Sequence, residues 1–178
     1  WMVFNTGFSV TRGALFKKRI LSLLVSSVML VVTSPIMLLM MLLIKLDSKG
    51  PAFYKQERVG QDGNTFTLIK FRSMRHDAEK GTGPVWSADA DDRITRMGRF
   101  MRRTRLDELP QFINVLRGDM SLVGPRPERP HFVQQLVESI PFYHMRHIVK
   151  PGITGWAQIN YGYANTLEHT VEKLQYDL

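Results

Sequence analysis

The run "ILSLLVSSVMLVVTSPIMLLMMLLI", residues 20–44, decides the architecture, because its twenty-five consecutive residues carry no charge. About 18 uncharged apolar residues already point to a bilayer rather than a buried core helix. A cleaved leader fits poorly, since the run is long and no small-residue cleavage pattern follows it. A straight helix of this length, rising about 1.5 Å per residue, would cross the roughly 30 Å hydrocarbon core. Ser34-Pro35 stands in its middle, however. Proline deletes a backbone donor and clashes with the preceding turn, so a kink or break is expected there. Broken at Pro35, the two arms would measure roughly 22 and 14 Å, and neither would span. Ser34 is placed to satisfy backbone groups that the proline frees.

Working outward, Lys17-Lys18-Arg19 precedes the run and Lys45 and Lys49 follow it. Basic residues favour the cytoplasmic side, and here both ends claim it. A re-entrant helix-break-helix meets both claims; an ordinary kinked transmembrane helix is the alternative. The whole chain of 178 residues has 24 Lys+Arg against 16 Asp+Glu, a formal charge of +8. That balance suits phosphorylated substrates, an anionic membrane surface or nucleic acid, and the membrane run argues against nucleic acid. With no cysteine, disulfides and thiolate chemistry are excluded. The chain stops inside a helix-like run, "TLEHTVEKLQYDL", and reads as part of a longer protein.

Beyond the linker "KLDSKGP", residues 52–59 and 65–71 favour strands and flank "GQDGN", whose Asp62-Gly63 signals a hairpin turn. A polar loop follows, then "RITRMGRFMRR", with Asp91-Asp92 as its expected helix cap. Pro110 suits a first helical turn, "QFINVLR" continues it, and Gly118 suits its end. The segment "GDMSLVGPRPERP" is a proline-stiffened loop, and residues 131–140 form an amphipathic helix with Phe132, Leu136 and Ile140 on one side. Phe142, Tyr143 and Trp156 either sit at headgroup level or pack in a core. The expected class is α+β, mainly helical, with a membrane helix, a small hairpin and interfacial amphipathic helices. Residues 1–16 read as an N-terminal extension without an assigned role, residues 17–46 as the re-entrant membrane helix, and residues 47–178 as a domain that forms one unit with that helix.

The chemistry concentrates at "RRTRLDELPQF", residues 102–112. Six arginines lie between Arg93 and Arg105 with no acid after Asp92, and then Asp107 and Glu108 follow as a pair. Capping of the next helix explains two acids there. A carboxylate dyad at a phosphate site explains them too. Mg²⁺ needs oxygen ligands and takes only one or two carboxylates when substrate phosphates complete its shell. A carboxylate can also attack phosphorus, splitting a transfer into two steps, and nearby arginines and a helix N-terminus would keep it ionised. No P-loop, G-x-G-x-x-G, G-x-S-x-G or H-E-x-x-H is present. "DAD", residues 89–91, is a short match to the cation-binding acids of nucleotide-sugar glycosyltransferases, and His144 with His147 has metal-ligand spacing but no further ligand.

Taken together, "SPI", "GPAFYKQERVG", "FTLIKFRSM", "RLDELPQFINVLRGDMSLVGPRP" and "KPGITGWAQI" resemble the bacterial sugar transferase family, the monotopic phosphoglycosyl transferases. The resemblance runs from about Lys17 onward. It implies a re-entrant helix broken at Ser34-Pro35 and an Asp-Glu dyad at Asp107-Glu108. Asp107 would attack the β-phosphorus of a UDP-sugar, releasing UMP, and undecaprenyl phosphate would resolve the phosphosugar-aspartyl enzyme. Glu108 would hold Mg²⁺, with Asp177 as a further ligand. Arg126, in Pro125-Arg126-Pro127, would grip phosphate, with Lys70, Arg72 and Arg102 as further contacts. Such an enzyme works on the cytoplasmic face of a bacterial inner membrane, and "PGITGWAQINYGYAN" looks most like exopolysaccharide members. The sugar and any homo-oligomer are left open. The competing reading is a basic, non-catalytic membrane adaptor in which Asp107-Glu108 caps a helix.

Overall fold

The structure, a computed structural model, describes residues 12–75, 78, 91–160 and 167–177. It is α+β, as the sequence implies. A helix of 36 residues, α1 (Arg12–Asp47), runs through Pro35. Its buried positions, Ser22, Ser26, Thr33, Met37, Met40 and Ile44, recur at steps of three, four and seven and form one stripe. The remaining surface is apolar and bare, with Val31 73% and Leu46 75% exposed. A soluble core helix would be largely covered. This one is long and apolar enough to cross a membrane.

Helical backbone continues across Ser34-Pro35, so the helix shows no interruption at the kink or break expected there. Pro35 cannot donate to the carbonyl of Val31, four residues back, and the Ser34 hydroxyl donates to that carbonyl instead at 2.8 Å. Thr33 makes the same kind of bond to Met29 O, at 2.6 Å. The orphaned acceptor is satisfied locally, so the helix survives the proline.

Strands β1 (Phe53–Val59) and β2 (Thr65–Phe71) pair antiparallel with Tyr54 opposite Lys70 and Arg58 opposite Phe66. Asp62 and Gly63 both take positive φ in the turn, 56° and 78°, as Asp-Gly turns require. Helix α2 (Arg96–Thr104) is capped by Thr95, whose hydroxyl accepts from Gly98 N at 3.0 Å. Asp91-Asp92 is not its cap. The preceding Ile94 bridges to Met74, and this extended backbone moves the helix start past the acids. Asp91 instead binds Arg93 through its backbone and guanidinium.

Helix α3 (Gln111–Arg117) ends at Gly118 in the left-handed conformation, φ 96°, matching the sequence reading. Its last carbonyls meet cations from two distant segments: Arg19 Nη1 reaches Val115 O at 2.6 Å, Arg19 Nη2 reaches Leu116 O at 3.0 Å, and Lys150 Nζ reaches Gly118 O at 2.7 Å. Met37, Met40 and Ile44 of α1 pack with Ala52, Phe71 and Met101, joining helix, hairpin and α2. Strand β3 (Ser121–Val123) lies parallel to β4 (Gly152–Thr154). A Cβ on Gly152 would overlap the Gly124 backbone, so this close pairing needs glycine.

Helix α4 (Pro130–Ser139) buries Phe132 and Leu136 against Tyr143 and Leu174 of α6 (Leu167–Asp177). The short α5 (Trp156–Asn160) lies between β4 and α6 in the chain. The aromatic trio divides: Tyr143 is buried, while Phe142 and Trp156 are each 64% exposed.

Asn114 fastens α3 to the hairpin. Fully buried, it accepts from Ile69 N at 3.0 Å and donates to Thr67 O at 2.7 Å and to Asp119 at 3.0 Å. Asn114→Ala strands buried backbone groups and is expected to lower stability by roughly 3 kcal/mol. Thermal unfolding in detergent measures this, and a wild-type melting temperature would show that the amide is dispensable.

Candidate active site

The site grows from the end of α2. Arg105 adopts the left-handed conformation, φ 59°, which stops the helix and turns the chain into a 3₁₀ turn, Leu106–Glu108. A non-glycine residue in that conformation is strained, and such strain is commonly found at functional sites. Neither carboxylate caps α3: its cap position is Pro110, without a side-chain cap bond. The turn instead delivers both acids into a cavity of about 160 Å³, walled by Arg58, Leu68 and Lys70 of the hairpin, Arg102, Arg105 and Gln111 of the helices, and Arg126 with Pro127.

The two carboxylates differ in environment. Glu108 Oε1 accepts from Arg126 Nη2 at 2.9 Å and lies 3.5 Å from Arg105 Nη1. Burial alone would raise its pKa. The charge and hydrogen bond of Arg126, aided by Arg105 and Lys70, outweigh burial and hold it below the usual range. Asp107 is 7% exposed, and its Oδ1 is buried without a hydrogen-bond partner. Burial pushes its carboxyl above the usual range and Glu108 adds to this, against the pull of Lys70, Arg102 and Arg126. The shift is therefore opposite in direction to the sequence-based expectation that nearby arginines and a helix N-terminus favour the charged form of Asp107. Arg126 is committed to the neighbouring acid, and desolvation dominates at Asp107. Lys70 is brought down to about 8, first by burial and then by Arg58 and Arg102.

A protein-family model described as bacterial sugar transferase matches residues 13–178. The chain belongs to the bacterial sugar transferase family. It is 48% identical over 162 residues to UDP-N-acetylgalactosamine-undecaprenyl-phosphate N-acetylgalactosaminephosphotransferase of Aeromonas hydrophila, covering 91% of this chain and 38% of that protein. Over 163 residues it is 44% identical to UDP-glucose:undecaprenyl-phosphate glucose-1-phosphate transferase of Escherichia coli (strain K12), covering 90% and 35%. An exopolysaccharide production protein of Rhizobium leguminosarum bv. phaseoli is 44% identical over 148 residues, covering 80% and 72%. The chain thus spans little more than a third of the first two relatives.

In this sugar transferase chain, Lys70, Arg102, Asp107, Glu108, Arg126 and Pro127 converge on one cleft. Pro125 does not line it, and its carbonyl accepts from Gly152 N at 2.9 Å. Arg72 lies elsewhere: its guanidinium holds Lys49 O at 2.8 Å and Ser48 O at 2.7 Å, just past the end of α1. Strand β2 ends at Phe71, so the alternation that aims Leu68 and Lys70 at the cleft no longer governs Arg72. Asp177 also lies outside the cleft wall, paired with Arg146 at 2.6 Å. Arg58, Arg105 and Gln111 were not anticipated. Once the turn fixes the hairpin register, strand alternation puts Arg58 on the Lys70 face, and that was the available signal.

The two weaker metal readings gain no support. Asp89 lies outside the described residues, and Asp91 is committed to Arg93. His147 packs edge-on against Tyr143, and burial, with Arg146 and His144, lowers it to about 4. Among the described residues, no three acids or histidines cluster.

Proposed function

We propose that this chain transfers a sugar 1-phosphate from a UDP-sugar to undecaprenyl phosphate, releasing UMP and forming undecaprenyl-diphospho-sugar. The observation that carries the reading is Asp107 Oδ1, buried and unpartnered in a cleft also lined by Lys70, Arg102 and Arg126. The names of the relatives supply the substrate class.

In the first step an Asp107 carboxylate oxygen bonds to the β-phosphorus. The bond from that phosphorus to the bridging oxygen breaks, and UMP departs with the oxygen. In the second, an oxygen of undecaprenyl phosphate bonds to the same phosphorus and the acyl-phosphate bond breaks, regenerating Asp107. Burial leaves the nucleophile poorly solvated and basic, which favours attack once it is ionised. Arg126, Arg102 and Lys70 face the charge that shifts between the phosphates. The donor set suits Mg²⁺, since two carboxylates face the cleft and one oxygen lacks a partner; Glu108, beside Asp107, would hold the ion. When bound, Mg²⁺ neutralises phosphate charge.

We further infer that α1 bends at Pro35 and inserts from one side, at the cytoplasmic face of a bacterial inner membrane. Near its start, Arg19 binds α3; at its end, Asp47 accepts from Met97 N of α2 at 3.2 Å. Both ends therefore engage the unit that bears the cleft, which supports placing both basic flanks on one face. A role in exopolysaccharide synthesis fits the name of the Rhizobium relative.

Release of UMP from a panel of UDP-sugars, with undecaprenyl phosphate and Mg²⁺, tests the reading. One or more sugars should release UMP and label the lipid, whereas silence from folded, membrane-bound protein would contradict it. The pH profile of kcat/KM should rise as Asp107 ionises, above the usual carboxylate range, and fall near 8 as Lys70 loses its proton. Lys70→Arg should carry the alkaline limb to higher pH. An unmoved limb would remove Lys70 from phosphate binding.

A further inference from the structure

The segment Pro125–Glu128 carries Arg126 to the dyad, and its four consecutive carbonyls are each held by a different distant donor. Pro125 O accepts from Gly152 N at 2.9 Å, and Glu128 O from Val59 N at 2.9 Å. Pro127 O accepts from Arg58 Nη1 at 3.0 Å, and Arg126 O from Arg146 Nη2 at 3.0 Å. Backbone amides supply the outer two bonds. Buried or half-buried guanidiniums supply the inner two, on the phosphate-facing arginine itself and on the residue after it.

Arg146 is the more constrained guanidinium. It is 4% exposed, gives Nη1 to the Tyr143 hydroxyl at 2.8 Å, and gives Nε and Nη2 to Asp177 Oδ2 at 3.1 and 2.6 Å. Asp177 belongs to α6, so one chain of contacts runs from α6 through Arg146 to the Arg126 backbone, and from the Arg126 side chain to Glu108. A buried ion pair is weak evidence of stability, because desolvation offsets most of its attraction. A planar fork that must satisfy a carboxylate, a phenol and a carbonyl together instead fixes geometry.

We propose that Arg146, oriented by Asp177 and Tyr143, is a positioning residue that sets the aim of Arg126 at the substrate diphosphate. Asp177 thereby acts on the site through Arg146 rather than as a metal ligand. This rests on the transferase reading of Arg126. Misplacement by about 1 Å far from the chemistry can lower a rate about 100-fold, so a mount this extensive has functional weight.

Equilibrium binding of UDP, which requires no turnover, supplies the test. Arg146→Lys keeps a cation beside Asp177 but lacks the fork that also reaches Arg126 O. It should unfold near the wild-type temperature yet bind UDP about tenfold more weakly and show a lowered kcat/KM. In an Arg126→Ala background the same change should have no further effect on UDP affinity, because both act through one group. The paired replacement Arg146→Met with Asp177→Leu, which leaves no buried charge unpaired, should give the same pattern. Unchanged UDP affinity in either folded variant, or an equal loss with and without Arg126, would overturn the proposal. Wild-type protein that does not bind UDP would instead overturn the transferase reading itself, and this one with it.

Discussion

Replacing Asp107 by asparagine should lower UMP release by about 10⁴-fold or more while leaving the protein folded and membrane-bound. The amide keeps the side chain's shape and removes the attacking oxygen charge. Its effect on stability should have the opposite sign. Burial raises the Asp107 pKa in the folded state, so between the unfolded and folded values the native protein holds the extra proton. Stability from this group is complete below the unfolded pKa and is lost as pH rises through the folded pKa. At neutral pH the ionised carboxylate is therefore a burden that asparagine relieves. Asp107→Asn should melt at or above the wild-type temperature at pH 7.5, and its advantage should vanish toward pH 4. A dead enzyme that also melts well below wild type would assign Asp107 a structural role instead.

Arg126→Ala should be the next most damaging change, lowering kcat/KM by about 10³-fold. Two losses combine. The cleft loses a guanidinium that the proposed reaction turns toward the diphosphate, and Glu108 loses the 2.9 Å partner that holds its pKa down. Arg126→Lys should recover little, because one ammonium cannot serve Glu108 and a phosphate oxygen together as a planar fork does. Steady-state kinetics on both variants checks this. Near-wild-type kcat/KM for Arg126→Lys would mean that charge alone matters there.

Much of this arrangement was legible because it is local. Asp62-Gly63 fixed the hairpin, Gly118 fixed the end of α3, and the uncharged run fixed α1. The misread features depend on tertiary partners. Pro35 predicts a break only until Ser34 is seen to satisfy Val31 O. Asp91-Asp92 looks like a cap until the Ile94 bridge to Met74 moves the helix start to Thr95. Arg72 follows Lys70 by two residues, yet the strand ends between them and its guanidinium turns back to the segment after α1. Asp107 was expected to be acidified by its arginines. Its environment was decided by burial and by which acid Arg126 took, and neither is written in the local sequence.

The most direct measurement is to mix the enzyme with its UDP-sugar and Mg²⁺ without undecaprenyl phosphate, then quantify UMP and map the protein by mass spectrometry. The account predicts a burst of about one UMP per active site, with a sugar-phosphate adduct on the peptide containing Asp107. UMP release that strictly requires the lipid acceptor, with no adduct formed, would mean direct displacement and would contradict it.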